Sequence, residues 1–143
     1  NHNQEETIAE VSNEEFVRVM LTNALGVMRA VEGLQDLAGP TGTIGVMSSG
    51  QGSVANNING GHEVYRGSKA ALNQYMRSYA ARHADDQRPL VLIAPGWIRT
   101  ELGGPEAPLS IADAIPKVVD VVIAQRGKPG LRYLDRNGQT VPW

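Results

Sequence analysis

Apolar positions alternate along this chain between a helical rhythm and short unbroken runs. After a polar stretch over residues 1–11, read as a loop, Ser12 with Glu15 three residues later predicts a capped helix start. Phe16, Val19, Met20, Asn23, Val27, Ala30, Val31 and Leu34 follow at helical spacing, which predicts one long helix ending near Leu37. A Gly/Pro turn at 39–42 separates it from residues 43–47, a run rich in branched side chains that fits a buried parallel strand stopping at Ser48. Residues 48–61 hold too much Gly and Asn for regular structure and predict a substrate or lid loop. Residues 64–84 read as a second helix, with Tyr75 and Tyr79 in the core or an interface. Pro89 introduces a second buried strand at 90–94, which breaks at Pro95 and Gly96. Past a Gly/Pro-rich loop at 101–109, Ser110 with Asp113 opens a third helix reaching about Gln125; Pro116 inside it predicts a bend or a later start. A turn at 127–130, a last short strand at 131–134 and a tight Asn137-Gly138 turn complete the chain.

The order helix, strand, helix, strand, helix, strand implies an α/β fold, a doubly wound parallel sheet with helices on both faces. At 143 residues the chain has about the length of one domain. A net charge of -2, dispersed along the sequence, gives no footprint for nucleic acid. No apolar run approaches the roughly 18 residues that a membrane helix needs, and the polar N-terminus is unlike a signal peptide. Neither nucleic acid nor a membrane is expected as a partner. Without cysteine, thiol chemistry and disulfides are excluded, and the compartment expected is the cytoplasm. His2, His62 and His83 lie far apart with no ligand spacing; they read as surface or capping residues, and no metal is expected.

The strongest chemical signal is Tyr65 with Lys69, four residues apart at the start of the second helix and therefore on one face. A tyrosine is a poor proton donor at neutral pH unless a neighbouring ammonium stabilises its phenolate; such a pair can act as general acid or base. The alternative is a solvated helix face. Ser48 and Ser49 stand where the first strand ends, the edge at which open α/β sheets bind ligands, although either could simply cap the turn. Asn23 falls on an apolar stripe, where an amide needs partners; hydrogen bonding to nearby backbone is the plain reading. Pro95, Gly96, Trp97, Ile98 and Thr100 occupy the same kind of strand end.

Four segments, NALG (23–26), SSGQG (48–52), YRGSK (65–69) and PGWIRT (95–100), together resemble the C-terminal part of the short-chain dehydrogenase/reductase family over nearly the whole chain. The resemblance implies the C-terminal part of a Rossmann-like sheet and an oxidoreductase that interconverts a carbonyl and an alcohol with NAD or NADP. It makes Tyr65 the acid/base that exchanges a proton with the substrate oxygen. Lys69 would lower the Tyr65 pKa and hold the nicotinamide ribose. The family's serine would be Ser49, taken with Gly52, rather than Ser48, and its hydroxyl would polarise the carbonyl. Asn23 would hold a water linking Lys69 to solvent. Pro95, Gly96, Ile98 and Thr100 would line the nicotinamide, with Thr100 on its carboxamide, while Trp97 and the loop over residues 50–61 would shape the substrate pocket. Homodimers or homotetramers are expected by the same resemblance.

The family's first half begins with a strand, a Gly-rich turn and a helix that receives the pyrophosphate. None of these is present here. The expectation is a single domain over 1–143 that lacks its N-terminal half, that half being its partner in a longer enzyme, and that is inactive in isolation. The competing reading is a non-catalytic interaction module, derived from a dehydrogenase, that associates through its two long helices.

Overall fold

The structure, a computed structural model, describes residues 7–143; His2 and most of the N-terminal polar stretch lie outside the described residues. The helices are α1 (Asn13–Met20), α2 (Gly26–Leu34), α3 (Glu63–Arg82) and α4 (Ile111–Ile123), and the strands β1 (Ile44–Met47), β2 (Pro89–Ala94) and β3 (Gly130–Asp135). The strands form one parallel sheet in the order β1-β2-β3, with Val46 opposite Leu92 and Leu92 opposite Tyr133. Element order and parallel pairing agree with the expected α/β class. Pro89 opens β2, a strand position where a missing N–H is tolerated.

β2 is the hinge of the core because its alternate side chains serve opposite faces. Leu90, Leu92 and Ala94 pack with Ile44, Val46 and Tyr133 against Met28 of α2 and Leu72, Met76 and Tyr79 of α3. Val91 and Ile93 pack with Leu134 against Val118 and Val121 of α4. On β1 only Ile44 and Val46 are buried; Gly45 and Met47 face out, so the first strand is covered on one face rather than on both as expected.

Three details correct the sequence reading. The first helix is not uniform: Leu21–Leu25 forms a π turn between α1 and α2, in which the Gly26 N–H reaches Leu21 O. A Cβ at Gly26 would lie 3.0 Å from that same oxygen, so the wide turn falls where the chain carries no side chain. The buried residues are Ala24 and Met28, while Phe16, Ala30 and Leu34 are exposed; beyond the π turn that follows it, α1 meets α3 rather than the sheet. Tyr79 is fully buried, but Tyr75, on the outward face of α3, is 46% exposed. Finally, α4 starts at Ile111 despite Pro116 inside it. Ser110 accepts from the Asp113 N–H at 3.1 Å and the Asp113 carboxylate accepts from the Ser110 N–H, a reciprocal cap that fixes the first turn.

Candidate active site

Parallel strands bring all their C-terminal ends to one edge of the sheet. At that edge β1 runs into Ser48 and Ser49, β2 into Pro95 and Gly96, and β3 into Arg136. The loop after β1 turns through a short 3-10 segment, Gly50–Gly52, and continues to Gly60, Gly61 and His62, all with positive φ, before α3 begins. His62 caps nothing with its side chain, whereas His83, at the other end of α3, meets Tyr79 O through Nδ1 at 2.8 Å and stacks on the Tyr79 ring.

The first turns of α3 project Tyr65 and Lys69 toward the same edge. Lys69 Nζ lies 5.9 Å from the Tyr65 ring centroid and donates to Met47 O, the last residue of β1, at 3.2 Å. Burial pushes the Lys69 ammonium below its ordinary value. An ammonium has three donors, and Met47 O is the acceptor Lys69 meets among the described residues. That arrangement fits the hydroxyl groups of a ribose placed beside it.

Ser48 and Ser49 part company. Ser48 is buried and donates through Oγ to Asn73 Oδ1 at 2.6 Å. Ser49 remains partly accessible; its Oγ accepts from the Gln51 N–H at 3.1 Å, which leaves the hydroxyl proton free to point elsewhere. Asn23 sits in the π turn and donates through Nδ2 to Ser68 Oγ at 3.1 Å, and Ser68 Oγ donates to Tyr65 O at 2.8 Å. The amide is thus tied to the helix that carries Tyr65 and Lys69 and is not bonded to Lys69 itself.

The segment after β2 is stapled. Ile98 bridges Leu109, Arg99 N donates to Leu109 O at 2.7 Å and Trp97 Nε1 donates to Gly103 O at 2.7 Å. The Thr100 hydroxyl accepts from the Gly103 N–H at 3.0 Å, so part of its bonding capacity is used inside the turn. Gly96 has φ 93°, and a Cβ there would lie 2.7 Å from the Arg136 guanidinium, so the backbone between Pro95 and Trp97 passes close against that cation.

Sequence reasoning missed Asn73 and Tyr133, which meet this edge from below. Asn73 is buried one turn beyond Lys69, and Tyr133, on β3, donates its hydroxyl to Ser49 O. A polar residue between Leu72 and Met76 was the available signal for Asn73; a tyrosine in the run Leu131-Arg132-Tyr133-Leu134 carries none, because only the parallel register places it beneath β1.

A family profile described as "Enoyl-(Acyl carrier protein) reductase" matches residues 1–118. A Burkholderia multivorans protein assigned to the short-chain dehydrogenases/reductases, solved with bound NADP, is 60% identical with TM-score 0.97 over 100% of this chain, which covers 62% of that one. A Pseudomonas aeruginosa carbonyl reductase solved with NADP is 33% identical with TM-score 0.83, again over 100% of this chain and 61% of its own. The C-signal protein of Myxococcus xanthus is 33% identical over 140 residues, 95% of this chain and 83% of that protein. The chain therefore spans about three-fifths of the length of these solved relatives. With the profile covering most of the chain, and with relatives of 33% and 60% identity aligned over nearly all of it, this protein belongs to the short-chain dehydrogenase/reductase family.

Proposed function

We propose that this chain carries the proton-handling and nicotinamide-facing part of an oxidoreductase that interconverts a carbonyl and an alcohol with NAD(H) or NADP(H), as a cytoplasmic protein. The observation that carries this reading is the half-buried Lys69 ammonium between Tyr65 and the end of β1. The cofactor, when bound, supplies or accepts the hydride. Lys69 and the segment Pro95, Gly96, Ile98 and Thr100 hold it, Lys69 through the ribose hydroxyls and Thr100 through the carboxamide. Ser49 donates its hydroxyl to the substrate oxygen. Tyr65 gives that oxygen a proton in reduction and takes it back in oxidation, while the Lys69 charge compensates the negative charge left on the tyrosine. Asn23, joined to α3 through Ser68, holds the water through which Lys69 exchanges protons with solvent. Trp97 and the loop over residues 50–61 bound the organic part of the substrate.

The remaining parts of such an enzyme, the Gly-rich turn and the neighbouring strands, belong to a longer polypeptide in this reading, in which residues 1–143 are part of a single domain. The bare face of β1 at Gly45 and Met47 supports it. The exposed stripe Ile111, Ile115, Val119 and Ile123 on α4 supports a homodimer or homotetramer. Replacing Tyr65 by Phe in the full-length gene product tests the chemistry. Turnover falls by about three orders of magnitude or more, while the dissociation constant for NADPH or NADH changes less than about threefold; wild-type turnover in this variant would falsify the assignment. A second reading, an interaction module without catalysis, draws on the Myxococcus relative, whose name is that of a signal and of which the chain covers 83%. It requires that Tyr65→Phe leave the biological output intact.

A further inference from the structure

Ser49 can direct its hydroxyl only as well as its own backbone is held, and its anchor comes from the far strand. Ser48 N donates to Ile93 O at 2.8 Å, extending the ladder past the end of β1. Asn73 then grips the turn twice, accepting from Ser48 Oγ at 2.6 Å and donating to Gly52 O at 3.3 Å. Tyr133 reaches across the face of the sheet from β3 and donates to Ser49 O, the oxygen that also accepts from the Gly52 N–H at 2.9 Å. The Tyr133 ring packs against Trp143 with centroids 5.4 Å apart. Trp143 in turn lies 4.2 Å beneath the Arg77 guanidinium and accepts from the Ala55 N–H at 3.0 Å. Residues 48–55 are therefore clamped between α3 on one side and Tyr133 with Trp143 on the other.

We propose that Tyr133 is a positioning residue for the reaction: by holding the carbonyl of Ser49 it fixes the direction of the Ser49 hydroxyl, and through Trp143 it ties the same turn to the start of the pocket loop. The proposal rests on the reading of Ser49 as the group that polarises the substrate oxygen. The phenol is suited to the task. Burial holds its pKa above the ordinary tyrosine value, so it stays a donor throughout the neutral range. Its hydroxyl is hydrogen-bonded directly to the Ser49 backbone carbonyl.

Tyr133→Phe removes the hydroxyl and keeps the ring on Trp143, so the fold survives. In the full-length gene product, hydrogen exchange read by mass spectrometry is expected to quicken about tenfold in a peptide spanning residues 49–55 and to stay unchanged in residues 70–82 of α3. With NADPH and phenanthrenequinone as the carbonyl probe, kcat is expected to fall about tenfold with KM for NADPH unchanged. The double variant Ser49→Ala with Tyr133→Phe should be no slower than Ser49→Ala alone, because both act through one hydroxyl. Unchanged exchange in residues 49–55 overturns the proposal, and so do multiplying effects in the double variant. The exchange measurement needs no turnover, so it decides the anchoring independently of the chemistry. Wild-type activity in Tyr65→Phe or Ser49→Ala would instead remove the reaction on which the proposal builds.

Discussion

At the scale of single residues the site edge depends on close approach. A Cβ at Gly52 would lie 2.9 Å from Asn73 Nδ2 and 3.0 Å from both the backbone carbon and the Cβ of Lys69. Backbone cannot yield as a flexible side chain does, so Gly52→Ala forces the turn away from α3. The expected cost is about 1 to 3 kcal/mol by analogy with overpacked cores, seen as a Tm lower by several degrees. In the proposed mechanism kcat falls with it, since Gly52 lies between Ser49 and Lys69. An unchanged Tm would show that the turn and the helix are not in contact in solution. Gly103 is as constrained, for a Cβ there would meet Ile98 O at 1.9 Å, but its consequence is confined to the loop that holds Trp97.

At the scale of elements the joints matter more than the helices themselves. The π turn at Leu21–Leu25 turns Asn23 toward Ser68 without ending the helical path. A second joint lies between α3 and β2. Asp86 accepts from Arg88, whose Nη2 lies 2.5 Å from Asp86 Oδ2, and the same guanidinium donates to Gln35 O and Ala38 O beyond α2. Hydrogen bonds from Arg88 hold the Asp86 carboxyl below the usual carboxylate range. A lowered folded value means that the unfolded chain binds the proton more readily. The stabilisation is therefore complete above the ordinary value of about 4 and is lost as pH falls through the folded value. Asp86→Asn should lower stability at pH 7 by on the order of 1 kcal/mol, and the two proteins should converge in Tm as pH drops toward about 2. A gap that persists undiminished in acid would mean that Asp86 acts through something other than its charge.

For the whole molecule, the central fact is uneven cover. β2 is buried along its length, whereas β1 shows Gly45 and Met47 to solvent and α1 buries no residue. Phe16, Val17, Leu21 and Leu25 lie exposed along α1 and the π turn, and four aliphatic residues do so along α4. Surfaces of this kind call for partners. Because the chain spans about three-fifths of its solved relatives, the 143 residues made alone should bind NADPH with a dissociation constant well above the micromolar range in calorimetry. Micromolar binding would show that these residues hold the dinucleotide without a Gly-rich turn.

Much of this was legible in the sequence because it is written in local chemistry. Alternating rhythms fixed the order of helices and strands, Ser110 with Asp113 marked a cap that formed despite Pro116, and four short segments were enough to indicate the family. Tyr65 and Lys69 share a face because a helix repeats every 3.6 residues, which needs no tertiary information. The π turn, the exposure of Phe16 and Tyr75 and the bare face of β1 depend on which surfaces meet, and periodicity does not encode that. The separation of Ser48 from Ser49, like the anchoring of Ser49 by Tyr133 some 84 positions away, was decided by the parallel register of β1, β2 and β3. Contacts across a sheet are fixed by the packing of its two faces, and no spacing along the chain records them.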